Sequence, residues 1–461
     1  MDARVDRLRG RVVEGSIAKA IIYLAAPIVA ARLLSSIQES VDVIFLGRVG
    51  AEDLAAPTAA QPLFWLFMGI NFGITTATLA SVSQLVGARR YEDASRAAGG
   101  MLSIAITLGL ASMITMITIA PHVFKAQGIP PEVYGLALAY TMIDALSLPF
   151  MFLLIFFNNL SSSMGDTRKP FLVSSLASLI NIVLDPVLIF GLGPIPGMGV
   201  VGAALATAVS RFISGGIALY LMLSGALGFR ITPVRPWRTL AVMAARIGGP
   251  VALQRVIVST GFLVMMGIVA GLGPVAMAAY NVSLAIVHII QSATFGFNIA
   301  VATIVGQNLG SGKVDRARKA AYIGIGIIFT VLSIGSIAIY LFRDYLVLLF
   351  TNLPGVYEES LRMVELIAPG IPFLGAFFVA NGIARGSGWT GIISILGVAR
   401  LWLLRIPLAY MLVYYYNWGP DGVWVSMTAS NMIAGAAGVA WVFSGGWLKP
   451  AALRMAGLEA G

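Results

Sequence analysis

The chain has no cysteine and only two histidines, His122 and His288, among its 461 residues. Without thiols there is no disulfide, no thiolate nucleophile and no sulfur-ligated metal centre, and two histidines are too few for a histidine-built metal site. Charge is scarce as well: 11% of residues are charged, against roughly 25% in soluble globular proteins. A water-soluble chain of this length would expose far more, so an ordinary soluble protein is excluded. In its place are apolar side chains, 58% of the total, which fits a chain whose solvent is the bilayer. The net charge of +10 would suit nucleic acid, but the basic residues lie between long apolar runs. That placement matches the positive-inside pattern of membrane proteins and not a nucleic-acid-binding face.

A spanning helix needs about 20 mostly apolar residues. Twelve such runs are present, at 17–46, 57–86, 96–122, 134–160, 170–191, 199–224, 239–270, 278–308, 319–343, 357–383, 390–416 and 421–446. The first is longer than the roughly 7–15 residue apolar core of a signal peptide, so it is expected to stay in the mature protein. Arg89, Arg90 and Arg96 follow the second run, Arg168 and Lys169 the fourth, Arg230, Arg235 and Arg238 the sixth, and Lys313, Arg316, Arg318 and Lys319 the eighth. Every even-numbered loop is basic, which predicts a multi-pass plasma-membrane protein with both termini in the cytoplasm.

An internal repeat recurs at 223 residues. Pro27 pairs with Pro250, Gly50 with Gly273, Gln84 with Gln307, Pro149-Phe150 with Pro372-Phe373, Asn158 with Asn381, and Gly165 with Gly388. Each copy holds six spans, an even number, so both copies enter the membrane from the same side and are parallel. The predicted fold is therefore all-α and integral to the membrane: twelve transmembrane helices in two parallel six-helix repeats, forming two lobes around a central cleft. Residues 1–16 form a cytoplasmic segment, 17–224 the N-lobe, 225–238 a cytoplasmic connector, 239–446 the C-lobe and 447–461 a cytoplasmic tail. Facing lobes suit alternating access.

A charge near the bilayer centre costs at least about 2.5–3.5 kcal/mol, so each acid or base inside a span needs a partner or a function. Arg211, Arg385 and Arg400 are expected to snorkel toward the headgroups. Asp42 and Asp185 are too short for that, and they precede the breaks at Gly47 and Gly191 by similar distances, which places them at one depth. Asn181 lies one turn before Asp185, and Gln38 and Glu39 one turn before Asp42. In the second copy the corresponding positions are Met265 and Ile406, so the acidic site belongs to one lobe. Two carboxylates close together in a medium of low dielectric cannot both stay ionised, so the pair is suited to taking up and releasing a proton. Pro27, in the middle of the first span, is expected to bend that helix.

Twelve spans in two copies, the run from Pro27 through Asp42 to Gly47-Arg48-Val49-Gly50, Gln84-Leu85-Val86-Gly87-Ala88, Gly165-Asp166-Thr167-Arg168-Lys169-Pro170, Asn181 through Asp185-Pro186, and Gly199 to Thr207 together resemble the multidrug and toxic compound extrusion (MATE) transporters. The acid placement is similar to the prokaryotic branch named for the DNA-damage-inducible protein F. The resemblance implies a secondary antiporter that exports cationic or amphiphilic compounds in exchange for protons or sodium. It assigns coupling to Asp42, Asp185 and Asn181, and places Asn158 and Tyr140, with Gln38 and Glu39 nearby, in the N-lobe cavity. It implies no cofactor and no resident metal, with sodium at Asp42, Asp185 and Asn181 as the alternative to a proton. The expected partners are the small-molecule cargo, the coupling ion and the bilayer, and the expected state is a monomer. One departure bears on sodium: some members carry a hydroxyl just after the glycine at Gly202, where this chain has Ala203. The alternative reading is a flippase for lipids or lipid-linked oligosaccharides, which would favour a cationic cleft. An intramembrane aspartyl protease, hinted at by Gly165-Asp166, lacks its second glycine, so no enzyme is expected.

Overall fold

The computed structural model describes residues 3–455. Residues 1–2 of the N-terminal segment and 456–461 of the tail lie outside the described residues. A short helix α1 (Ala3–Val13) leads into α2 (Ile17–Val49), α3 (Ala51–Gly87), α4 (Tyr91–Ala126), α5 (Pro131–Ser163), α6 (Arg168–Ile189) and α7 (Gly199–Leu223). The second half holds α8 (Arg238–Ala270), α9 (Pro274–Gly310), α10 (Val314–Leu341), α11 (Arg343–Leu348), α12 (Pro354–Ile367), α13 (Ile371–Ser387), α14 (Thr390–Ala399), α15 (Ile406–Tyr410), α16 (Pro420–Ser444) and α17 (Ala451–Met455). Among the described residues the one sheet is the two-stranded hairpin of β1 (Gly191–Leu192) and β2 (Ile195–Pro196), which turns the chain from α6 into α7. Helices dominate because hydrocarbon offers backbone groups no hydrogen-bond partner, and a helix satisfies its own. Eleven helices or helix runs are long and apolar enough to cross a bilayer, and α9, bent by 43° between Pro274–His288 and Gln291–Gly310, makes a twelfth.

The repeat is written in the backbone. Helices α3 and α9 are 37 residues each, and both start and finish 223 residues apart; α2 and α8 are 33 residues each. Gly165 after α5 and Gly388 after α13 adopt φ of 89° and 86°. Side chains rarely tolerate that left-handed region, which accounts for glycine at both positions.

The chain divides into two compact units. Unit 1 comprises the residues up to Gly10 and Pro27–Ala252; unit 2 comprises Arg11–Ala26 and Leu253 onward. The chain thus changes unit at Pro27 within α2 and two residues past Pro250 within α8, the repeat-related prolines. Helix α2 continues through Pro27, although proline has no N–H to donate to the Tyr23 carbonyl.

Unit 1 has an apolar core in which Leu63, Phe67, Met116, Phe124, Leu148 and Ile189 are nearly or fully buried. Helix α1 is tied to this unit by Arg9, whose Nε and Nη2 donate to the Gly87 carbonyl at 3.0 and 2.9 Å. In unit 2 the core includes Val12, Val13, Ile21 and Leu24 from the N-terminal residues, together with Phe377 and the fully buried Trp424.

Backbones approach closely where α3 meets the first half of α8: a Cβ added at Gly73 would lie 2.8 Å from the Gly248 carbonyl oxygen. Gly248→Leu is therefore an overpacking change, expected to cost about 1–3 kcal/mol or more. The neighbouring Gly249 faces open space, so Gly249→Leu serves as the control. Thermal unfolding of the two purified variants should separate them, with only the first losing stability.

Candidate functional site

The site is built on α2, α6 and α7 within unit 1. Helix α6 carries Asn181 and Asp185 one turn apart, and neither has any exposed surface. Both residues face the half-buried Asp42 of α2. With the Asn181 amide oriented so that both its ends are satisfied, its NH2 donates to Asp42 Oδ1 at 3.2 Å and to Asp185 Oδ2 at 3.1 Å. Its carbonyl oxygen accepts from the Thr207 backbone N–H at 3.2 Å and the Thr207 hydroxyl at 3.3 Å. The terminal amide of Gln38 lies 2.8 Å from the same Asn181 nitrogen. The Asp42 and Asp185 carboxyls are within hydrogen-bonding reach of each other. A hydrogen bond between two carboxyl groups requires a proton on one of them. Asp185 Oδ1 is buried and has no protein partner, which leaves one oxygen of the pair uncommitted.

Helix geometry explains the gathering. Positions 181 and 185, and 38 and 42, are four apart and so share a helix face, while Thr207 sits on α7, packed against α6. Tyr140 on α5 is near enough to both carboxyls to feel their charge. Glu39 faces away from the pair: exposed, it pairs with Arg32 at 3.1 Å, and this pairing also takes Arg32 out of contention as a neutralising partner for Asp42. Asn158 on α5 donates to Ser174 Oγ at 3.1 Å, while its own Oδ1 is buried without a partner. Ser174 precedes Asn181 by seven residues on α6, about 10 Å of helical rise, so Asn158 is not brought to the carboxylate pair. Pro27 lies on α2 at the unit boundary, fifteen residues from Asp42.

A second charged group sits beside the pair. Arg211 on α7, one turn after Thr207, forms a close ion pair with Asp144 of α5 and donates to Ser147 Oγ at 2.9 Å; its guanidinium also lies 5.4 Å from the centre of the Phe64 ring. Arg211 therefore does not snorkel, because its partner is inside the bundle. The same correction applies to Arg385, only 8% exposed and bonded through Nη1 to Asn298 Oδ1 at 2.8 Å. Thr207 and the Asp144–Arg211 pairing were not singled out in the sequence. The signal that carries them is the four-residue spacing of Thr207 and Arg211, which gives α7 a polar stripe facing α5 and α6.

Asp166, the residue behind the protease reading, is a helix cap. Its Oδ1 accepts from the backbone N–H of Arg168 and Lys169 at 3.2 and 3.4 Å, and its Oδ2 pairs with Arg4 at 2.8 Å. Negative charge at the start of α6 complements the helix dipole, so the residue is fully used in structure. Among the described residues no three His, Cys, Asp or Glu side chains group to hold a metal.

The MatE family model matches residues 27–187 and 250–411, two segments that begin 223 residues apart at the repeated prolines. The chain is 28% identical over 443 residues to the probable multidrug resistance protein NorM of Thermotoga maritima, covering 95% of this chain and 94% of that one. It is 26% identical over 433 residues to the probable multidrug resistance protein YoeA of Bacillus subtilis, covering 91% and 92%. A crystal structure of MATE in the bent conformation matches with a TM-score of 0.88 at 24% identity, covering 99% of this chain and 98% of that chain. That last likeness is one of fold.

Proposed function

The chain belongs to the MatE family of membrane transporters, and from that premise we propose that it is a secondary antiporter exporting cationic or amphiphilic organic compounds in exchange for protons, with Asp42 and Asp185 as the coupling group. It is a transporter and not an enzyme, and the multidrug resistance proteins it is similar to support small-molecule cargo. We place it in the plasma membrane, multi-pass, as a monomer with both termini in the cytoplasm. The observation that carries the coupling assignment is the Asp42–Asn181–Asp185 cluster, buried in one unit and open at Asp185 Oδ1.

The cluster favours a proton over sodium on the chemistry of its donor set. A sodium ion requires oxygens, as hard cations do, whereas Asn181 turns its NH2 toward the carboxylates and commits its oxygen to Thr207. Ala203, in place of a hydroxyl, points the same way. In the cycle, a proton from outside joins the pair and removes the negative charge that held the cation, and cargo leaves outward. After the inward opening the pair releases its proton and takes up new cargo. Pro27 supplies the bend in α2 that accompanies this change.

A tenfold proton gradient supplies about 1.4 kcal/mol per proton. One-for-one exchange with a monovalent cation moves no net charge; carrying two protons would add about 2.3 kcal/mol per 100 mV. Proteoliposomes given a pH gradient or a sodium gradient separately provide the test. Export of a cationic dye is expected with the first and absent with the second. Transport driven by sodium at equal pH would remove the proton assignment.

A further inference from the structure

Unit 2 carries the opposite charge where unit 1 carries its acids. Met265 and Ile406 occupy the positions of Asp42 and Asp185, and the chain just before Ile406 holds two arginines, Arg400 and Arg405. These two residues bound a π-helical segment, Arg400–Arg405, between α14 and α15. In an α-helix, residues five apart point about 140° away from each other. The i to i+5 hydrogen bonding of a π turn brings them to nearly the same side, and such turns recur at functional sites. The consequence is visible at Asn431 of α16: Arg400 Nη1 and Arg405 Nη2 both donate to its Oδ1, at 2.9 and 2.7 Å.

Two guanidinium groups thus share one neutral oxygen. Arg405 also donates through Nε to Ser430 Oγ at 2.9 Å, and Arg400 lies 5.4 Å from the Phe377 ring centre. Each guanidinium has five N–H donors and no acceptor, and Arg400 Nε is buried with no partner at all. Neither arginine forms an ion pair among the described residues. The acids of this unit serve elsewhere: Asp315 beside Arg318, Glu365 and Asp421 beside Arg362, and Glu359 under Trp424 Nε1. Arg405 is 4% and Asn431 8% exposed, and Arg400 stands ten residues into the 390–415 span. Two positive charges gathered at mid-span without an anion are costly in a bilayer unless a ligand completes them.

We propose that Arg400 and Arg405, converging on Asn431, form a binding site in unit 2 for the carboxylate or phosphoryl group of an amphiphilic anion. A planar, bidentate anion suits the forked donors of arginine. Cargo of this transporter therefore includes anionic or zwitterionic amphiphiles as well as cations. Only the word cargo rests on the transport reading above; binding is measured without transport.

The full-length protein in phosphatidylcholine nanodiscs, which contain no net anionic lipid, is titrated with carboxyfluorescein and separately with the esterified cation rhodamine 6G, by fluorescence polarisation. Arg400→Gln and Arg405→Gln are each expected to weaken carboxyfluorescein at least tenfold while changing rhodamine 6G less than twofold. Unchanged carboxyfluorescein binding in both variants, or equal weakening of both dyes, overturns the site. Should the glutamine variants fail to purify, Arg400→Lys and Arg405→Lys keep the charge but lose the fork. They are expected to weaken the anion severalfold, and an unchanged affinity counts against the site. Nanodiscs containing phosphatidylglycerol separate the two sources of the anion. Competition by the lipid that disappears in the glutamine variants assigns the site to a lipid phosphate, and absence of competition assigns it to soluble cargo. Carboxyfluorescein bound through these arginines by a protein that moves no dye in proteoliposomes upholds the site and removes the transport reading.

Discussion

Proteoliposomes carrying Asp185→Asn are expected to lose at least about nine-tenths of the cationic dye movement driven by a pH gradient, with Asp42→Asn losing a comparable share. The size follows from what an amide cannot do: asparagine keeps the shape but neither binds nor releases a proton in the working range. Asp185 is the more exposed to this argument, because it has no accessible surface and holds the one uncommitted oxygen of the cluster. Lowering the outside pH should accelerate export in the wild type, since the protonated pair is the form that lets cargo go, and this acceleration should vanish in both variants. Intact pH-driven export in both would leave the carboxylates as mere structural polar groups. Asn181→Leu offers a graded companion, because it removes the hydrogens that bridge Asp42 to Asp185 without touching either acid.

The second large effect concerns stability. Arg211→Met strands Asp144, which is 4% exposed, as a buried carboxylate without its counter-ion. Breaking a buried pair from one side costs about 3–5 kcal/mol, whereas replacing both partners by apolar groups is often neutral. A denaturant titration in micelles is therefore expected to show a large loss for Arg211→Met and recovery of most of it in the combined variant with Asp144→Leu. Equal stability of the single and combined variants would mean that the pair is not what holds α5 to α7. The ion pair also shapes the coupling site, since the Arg211 charge reaches Asp42. The combined variant separates the two roles, being stable yet altered in its pH response.

The architecture was legible because hydrophobic length and a constant offset survive in any reading of the chain. Gly165 and Gly388 even share a backbone conformation. The acidic cluster was legible because aspartates are too short to escape the membrane and because residues four apart share a helix face. Three things were not legible. Arg211 and Arg385 look like snorkelling residues when only their distance from a span end is considered, and their partners, Asp144 and Asn298, lie 67 and 87 residues away. Glu39 is one residue from Gln38, but a helix turns about 100° per residue, enough to send it to Arg32. The π turn at Arg400–Arg405 left no mark that periodicity could detect, because a pattern search presumes one helical pitch throughout.

The exchange of α2 and α8 segments at Pro27 and Pro250 bears on how the gene could have been built. Ile21 and Leu24 are fully enclosed in the core of unit 2, although they belong to the first copy of the repeat. A fragment beginning at the connector would therefore arrive without part of its own interior, and neither half of the chain is a self-sufficient folding module. Reciprocal trading of one identical element is the mark of a swapped homodimer. An ancestor with six helices would have worked as two such copies lending each other their leading segments, and tandem fusion then made that loan permanent.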